Sequence, residues 1–336
     1  MAAPRRATDA ELLTVHYADY VDAVKAARPA LEYGLGTDDV PVVAGMHEAA
    51  ATIVGATLVA ADKVMSGEVT RAFNMSGGLH HAHRARASGF CVYNDLAVAI
   101  RWLQQQHNAR VMYIDYDAHH GDGVQDIFYA SPDVLTVSYH ESGAFLFPGT
   151  GFIDEIGDGD GYGFAVNVPL EPHTGDASFR KVFNELVPQL ADAFEPDVIV
   201  LQNGCDAHEL DPLTHLRCTT GIFEECVRTV CDVADKHCQG RVIATGGGGY
   251  ATYSVVPRAW TLVWAALRGV RAPNRIPHNW LEQAEREAGY ALPRLLRDAT
   301  VNGAGNPGAD VDMNDKTMRA ARNRVLPLLT GWGMAF

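Results

Sequence analysis

The sequence predicts an α/β fold, with a mainly parallel central sheet flanked by helices, in one domain that spans residues 1–336. Short apolar runs rich in β-branched residues alternate with longer helical stretches along the whole chain, as expected for strands joined by helical crossovers. The runs are apolar almost continuously, which is typical of strands buried on both faces. No linker-like stretch or internal repeat divides the chain, so we expect a single domain.

The predicted elements follow one another in a regular order. Each strand is short and bounded by polar, Gly or Pro residues. The expected strands are residues 69–75, 109–117, 133–140, 163–170, 196–204 and 241–249. The expected helices are residues 44–66, 92–107, 176–193, 219–238 and 251–269. Near the end of the chain, a Gly/Asn/Asp-rich loop is expected at 301–315, before a last helix at 315–329.

Composition excludes several functional classes. The formal net charge is −14 and no Lys/Arg-rich run is present, so no direct nucleic-acid partner is expected. No apolar run approaches the ~20 residues that span a bilayer, and no apolar segment follows the N-terminal arginines. We therefore expect a cytoplasmic protein without membrane contact. The six cysteines form no CxxC pair and are expected to be buried thiols.

Polar clusters follow four of the predicted strands. In open parallel sheets, functional groups gather beyond the carboxyl ends of the strands. The clusters are "GGLHHAH" after 69–75, "DYDAHHGDG" after "RVMYI", "GCDAHELDP" after "VIVLQN" and "GGGGY" after "RVIAT". Because all four clusters belong to the same edge of the sheet, solvated turns are a poor explanation for them.

The cluster "DYDAHHGDG" contains a metal-ligand pattern. Asp115, Asp117 and His119 are spaced by two, so they point to one side while the chain is extended. Asp and neutral His are ligands of Zn²⁺ and of other first-row divalent metals. Asp206 is the obvious further donor. Two Asp and one His leave a position open for water, as in catalytic rather than structural sites.

The remaining acids and histidines predict proton-transfer chemistry. His80 and His81 are adjacent, and Asp115 and Asp122 are available to pair with them. An Asp that is hydrogen-bonded to one imidazole nitrogen fixes the tautomer of the ring and raises the basicity of the other ring nitrogen. Two such pairs beside a metal would move protons to and from its water. Tyr250, after four glycines, is positioned to donate a hydrogen bond to an oxyanion.

Together these stretches closely resemble the zinc-dependent histone deacetylase superfamily. The matching motifs occur in one order: "EYGLG", "GGLHHA…ASGFCVYND", "DYDAHHGDGVQDIF", "TVSYH", "FPGTG", "GCDAHELDP" and "GGGGY". The resemblance runs from about Glu11 to the C-terminal helices, and "NGCDAHELDPLTHL" is more similar to the bacterial acetoin-utilization branch than to eukaryotic members. The resemblance implies a three-layer arginase/deacetylase-like fold around a central parallel sheet.

The resemblance also implies a role for each matching residue. His80 with Asp115, and His81 with Asp122, correspond to the two His–Asp pairs, with His81 as general base and acid. Asp117, His119 and Asp206 correspond to the ligands of Zn²⁺, or of Fe²⁺, and Tyr250 to the tyrosine that polarises the substrate carbonyl. The implied substrate-binding residues are Asp38, Gly89, Phe90 and Phe147. A structural K⁺ is implied at Asp115, Asp117, His119, Ser138 and Tyr139, and a second cation at Phe128, Ser131, Val134 and Phe164.

The implied reaction is hydrolysis of the acetyl amide of N-acetyl-lysine in a protein, such as a metabolic enzyme, by a monomer or weak oligomer. An acetylpolyamine or other small-molecule deacetylase would use the same machinery, and a non-enzymatic acyl-lysine binder is a third interpretation. A ureohydrolase is disfavoured because the acid it needs two positions after the histidine of "DAH" is Gly121 here. Family members usually carry a further strand and helix before the matching region, so we expect an unpaired sheet edge.

Overall fold

The computed structural model describes residues 1–299 and 309–332. Its centre is a six-stranded sheet of order β1-β6-β5-β2-β3-β4, in which every neighbouring pair is parallel. The strands are β1 (Arg71–Asn74), β2 (Val111–Asp115), β3 (Val134–Glu141), β4 (Ala165–Leu170), β5 (Val198–Gln202) and β6 (Val242–Thr245). The predicted strands and their parallel arrangement are therefore confirmed.

Helices flank this sheet. They are α1 (Asp9–Leu12), α2 (Ala18–Ala26), α3 (Met46–Met65), α4 (Asp95–His107), α5 (Asp122–Phe128), α6 (Asp176–Phe194), α7 (Thr220–His237), α8 (Val256–Leu267), α9 (His278–Ala288) and α10 (Ala309–Trp332). Sequence analysis did not predict α1, α2, α5 and α9. These are short helices of 4, 9, 7 and 11 residues, with few turns over which a period of 3.6 can be recognised.

One predicted loop is partly wrong. Helix α10 begins at Ala309, so residues 309–315 are helical rather than part of the expected loop, and residues 301–308 lie outside the described part of the chain. Tertiary contacts explain the difference. The buried Asn314 side chain donates hydrogen bonds to Thr174 Oγ1 at 2.7 Å and to Ser178 Oγ at 2.8 Å. These partners hold a segment whose composition favours a loop in a helical conformation.

Both faces of the sheet are buried, as the continuous apolar runs predicted. Met112 and Ile114 of β2 pack into the cluster built with α6, α7 and α10. Val111 and Tyr113, which alternate with them, pack into the cluster built with α2, α3 and α4. All six cysteines are buried thiols.

The edges and ends of the sheet set the position of the functional loops. Among the described residues, β1 pairs only with β6 and is half-buried. In the register of the sheet, Asp115 pairs with Gln202, and Gln202 with Thr245. The loops after β2, β5 and β6 therefore leave from one edge of the sheet. No helix within the described ranges is both long and apolar enough to cross a membrane.

Candidate active site

Three buried side chains meet beyond the ends of β2 and β5. Asp117 and His119 follow β2, and Asp206 follows β5. One ligand atom of each lies within 4.8 Å of the others. His119 Nδ1 is 2.9 Å from Asp206 Oδ2 and 3.2 Å from Asp117 Oδ1. The structure thus brings together the three residues that the sequence suggested as metal ligands.

The electrostatics of this cluster favour a cation. Burial and the charge of Asp117 raise the pKa of Asp206 to about 7. Burial lowers the pKa of His119, but hydrogen bonds with Asp117 and Asp206 outweigh it and raise that pKa to about 11. Buried groups that hold a proton as strongly as Asp206 and His119 do also stabilise a bound positive ion. Two carboxylates and an imidazole, with this excess of negative charge, fit a divalent metal ion.

Neighbouring polar groups fix the orientation of both carboxylates. Asp117 Oδ2 accepts hydrogen bonds from Gln202 Nε2 at 2.8 Å and from the Gly248 N–H at 2.7 Å, and Asp206 Oδ1 accepts from the Ala118 N–H at 2.7 Å. A Cβ on Gly248 would lie 2.1 Å from Asp206 Oδ2, so this close approach requires glycine.

The two adjacent histidines each pair with an acid. His80 Nδ1–H donates to Asp115 Oδ2 at 2.7 Å, and His81 Nδ1–H donates to Asp122 Oδ1 at 2.7 Å. Their Nε2 atoms lie 3.1 Å apart. Both expected His–Asp pairs are thus present in the geometry, with their Nε2 atoms within hydrogen-bond distance of each other beside the three-residue cluster.

The two histidines differ in charge. Burial lowers the pKa of His80, but the charges of Asp115 and Asp117 outweigh it and raise that pKa to about 9. Burial and the charge of His80 lower the pKa of His81 to about 4, although Asp122 opposes the shift. Near neutral pH, His80 is therefore cationic and His81 is neutral, which makes His81 the proton acceptor of the pair.

Tyr250 lies beside the cluster. Its ring centroid is 6.4 Å from that of His119, and its hydroxyl makes no hydrogen bond with any described residue. Burial and the charges of Asp206 and Asp117 raise the pKa of Tyr250 well above its usual value. The phenol therefore stays protonated and is available as a donor.

Two aromatic side chains flank the approach to the cluster. Phe147 packs on His81 with ring centroids 5.1 Å apart, and Phe90 packs on Tyr250 at 5.7 Å. Both phenylalanines are partly exposed. Gly89, between them, has φ +50°, and a Cβ there would lie 2.4 Å from His81 Cδ2.

The other residues inferred from the resemblance are less directly placed. Asp38 is exposed between helices α2 and α3, and no contact among the described residues joins it to the cluster. Ser138 pairs with Asp115 across β2 and β3, and its hydroxyl lies 2.8 Å from His140 Nδ1. The hydroxyl of Tyr139 instead lies in the core without a partner among the described residues. The cation sites, including the second one, remain predictions.

Several buried groups that position the site were not predicted from the sequence. Asp95 accepts the N–H groups of Gly78 and Leu79, at 3.1 Å and 2.8 Å, and so holds the turn that precedes His80. Asp211 Oδ2 accepts the Tyr250 N–H at 2.8 Å. The only sequence signal for both was an acid at the end of a recognised motif, which does not reveal its backbone partners.

Comparison with known proteins agrees with this geometry. Residues 1–267 match the histone deacetylase domain family. The chain is 52% identical over 302 residues to the acetoin utilization protein AcuC of Bacillus subtilis (strain 168), with 88% of this chain and 78% of that protein covered.

Solved structures give the same result. A histone deacetylase homologue from Aquifex aeolicus superposes with a TM-score of 0.84 at 32% identity. A histone deacetylase homologue complexed with SAHA superposes with a TM-score of 0.85 at 33% identity. Each comparison covers 95% of this chain and 87% of the other. The predicted deacetylase-like fold is confirmed, and the chain belongs to the histone deacetylase family of deacetylases.

Proposed function

We propose that this protein is a metal-dependent amidohydrolase that removes acetyl groups from N-acetyl-lysine side chains of proteins. The observation that carries the proposal is the convergence of a three-ligand cluster, a neutral His paired with an Asp, and an unpartnered Tyr hydroxyl. Amide hydrolysis needs an activated water, a base that later acts as an acid, and a donor for the oxyanion. Each requirement has a residue here.

The metal would be held by Asp117, His119 and Asp206. When bound, a divalent ion supplies Lewis-acid polarisation of the amide carbonyl and lowers the pKa of its water. We propose Zn²⁺, with Fe²⁺ as the other ion that two carboxylates and one imidazole accept.

Proton transfer would be the task of His81. Its Nδ1–H is bound to Asp122, so Nε2 takes a proton as water attacks the acetyl carbon. The same nitrogen then returns this proton to the lysine nitrogen as the C–N bond breaks, which leaves acetate and free lysine. His80, held cationic by Asp115, contributes a positive field rather than a mobile proton.

Tyr250 would bind the carbonyl oxygen. Its phenol is protonated and free to donate, and its ring lies 6.4 Å from that of His119. A donor aimed at the position where negative charge develops stabilises the transition state more than the substrate.

The proposed substrate class rests on two aromatic side chains beside the cluster and on the net charge of the chain. The acyl-lysine stem would pass between Phe90 and Phe147. The net charge of −14 favours a positively charged peptide around the modified lysine. The similarity to the acetoin utilization protein AcuC supports a role in acetoin or acetate metabolism. We propose that this role is cytoplasmic, with an acetylated metabolic enzyme as partner.

The test is hydrolysis of a fluorogenic acetyl-lysine peptide by purified protein, with metal analysis, beside an Asp206→Ala variant. We expect about one metal ion per chain, with turnover that disappears in the variant. Bound metal with turnover only of acetylpolyamines would replace the protein substrate by a small molecule. Bound metal and peptide affinity without turnover of any acyl amide would instead indicate a non-enzymatic binder.

A further inference from the structure

A surface pocket lies outside the catalytic cluster, between α8, α9 and the segment that connects them. Its volume is about 460 Å³, and its walls include Trp264, Ile276 and Trp280. This volume is in the range of small-molecule sites, which are mostly apolar with a few polar groups. Both tryptophans are more than one-third exposed, at 47% and 37%, so their rings are accessible to a ligand. None of the lining residues belongs to the proposed catalytic machinery.

The polar groups of this pocket have one sign of charge. Arg258, Arg271 and Arg275 line it, and no Asp or Glu is among the described residues that do. The chain as a whole carries 41 acidic and 27 basic residues, so an acid-free pocket with three arginines departs from its average surface. Arg271 and Arg275 are exposed and make no ion pair with the described part of the chain. Their positive charge is therefore uncompensated at short range.

Arg258 adds an independent observation. Only 2% of this residue is exposed. Its Nη1 donates to Asp298 Oδ1 at 2.6 Å and its Nε to the Ser254 carbonyl at 2.5 Å, but its buried Nη2 has no hydrogen-bond partner among the described residues. A buried guanidinium nitrogen without an acceptor is costly. The charge of Arg258 is paired with Asp298, so the contacts to an anion are assigned to the exposed arginines.

We propose that this pocket binds a small organic anion with a planar apolar body. The apolar body would contact Trp264 and Trp280, and the carboxylate or sulfonate would bind Arg271 and Arg275. Arginine suits such groups because its planar fork binds two oxygens at once.

The proposal can be tested with two probes that differ only in one sulfonate group. The anion 8-anilinonaphthalene-1-sulfonate and the neutral N-phenyl-1-naphthylamine share the same aromatic body and both fluoresce on binding. We expect the anion to bind the metal-loaded full chain at one site, about 10-fold or more tighter than the neutral probe. A saturating acetyl-lysine peptide should not displace it.

Variants then locate the site. Replacing both exposed arginines, Arg271→Gln with Arg275→Gln, should remove the preference for the anion and leave the weaker binding of the neutral probe. Trp280→Ala should weaken both probes. Arg286→Gln, which removes an exposed arginine of α9 outside the pocket, is the matched control and should bind like the parent.

Three results would overturn the proposal. The first is equal affinity for both probes, and the second is an unchanged anion preference in the double arginine variant. The third is displacement of the anion by the acetyl-lysine peptide, which would place the probe at the catalytic cluster. Because the arginines are exposed, their replacement tests the proposal even where Trp280→Ala proves unstable.

Discussion

Replacing Asp211 by Asn tests how Tyr250 is positioned. The Asp211 carboxylate accepts two backbone N–H groups, from Tyr250 at 2.8 Å and from Leu213 at 3.0 Å. An amide keeps one acceptor oxygen, so one N–H then faces an NH₂ group. A buried donor left without an acceptor costs about 1–3 kcal/mol. If this cost displaces Tyr250 from the reacting carbonyl, kcat should fall by about 5- to 150-fold.

The assay is a double-mutant cycle on acetyl-lysine peptide hydrolysis. Asp211→Asn should lower kcat and leave KM nearly unchanged, because the donor it positions acts on the transition state. In a Tyr250→Phe background, Asp211→Asn should lower kcat much less, because the hydroxyl that Asp211 positions is gone. Asp232→Asn, at an exposed position of α7, is the matched control. Equal losses from Asp211→Asn in both backgrounds would refute the positioning role.

Three further predictions concern the site and its support. Tyr250→Phe should lower kcat by roughly 10²–10³-fold with metal content unchanged, measured by turnover and metal analysis. Gly89→Ala should reduce turnover and leave metal content unchanged, because its Cβ would lie 2.4 Å from His81 Cδ2; full activity would contradict this geometry. Burial lowers the pKa of His16 to about 4. The neutral buried ring of His16 therefore contributes its full stabilisation above pH 6.5, its pKa in the unfolded chain. This stabilisation is lost as the pH falls towards the pKa of the folded state. From pH 7.5 to 5, the free energy of unfolding should fall by about 2 kcal/mol through this histidine. Urea unfolding should therefore show a smaller pH dependence of that free energy in His16→Gln than in the parent.

The sequence predicted those features that follow from local pattern. The apolar runs around Met112 and Ile114 are continuous because both faces of their strand are covered by helices, and this burial is visible in composition. Asp117 and His119 were expected at this strand end, but they lie in a bend after β2 and not in extended chain. Asp206 was foreseeable as a partner because parallel strands place their carboxyl ends at one edge.

Other features depend on partners distant in sequence. Asp95 and Asp211 act through backbone N–H groups 16 and 39 residues away, and an acid at the end of a motif does not reveal such donors. Asn314 holds α10 through Thr174 and Ser178, 140 and 136 residues away, in a stretch whose composition indicated a loop. In each case a tertiary hydrogen bond decides the local structure, and local propensity is too weak to oppose it.

The contrast between His80 and His81 shows why residue type alone does not assign a role. Both rings are buried, and each donates Nδ1–H to an Asp at the same distance of 2.7 Å, so the His–Asp hydrogen bond itself does not distinguish the two pairs. Their surroundings separate them. The charges of Asp115 and Asp117 raise the pKa of His80, and the charge of His80 then lowers the pKa of His81. The two histidines therefore differ in charge because of what surrounds each His–Asp pair. His80 Nε2 lies 4.0 Å from Asp117 Oδ1, and His81 lies next to the His80 cation.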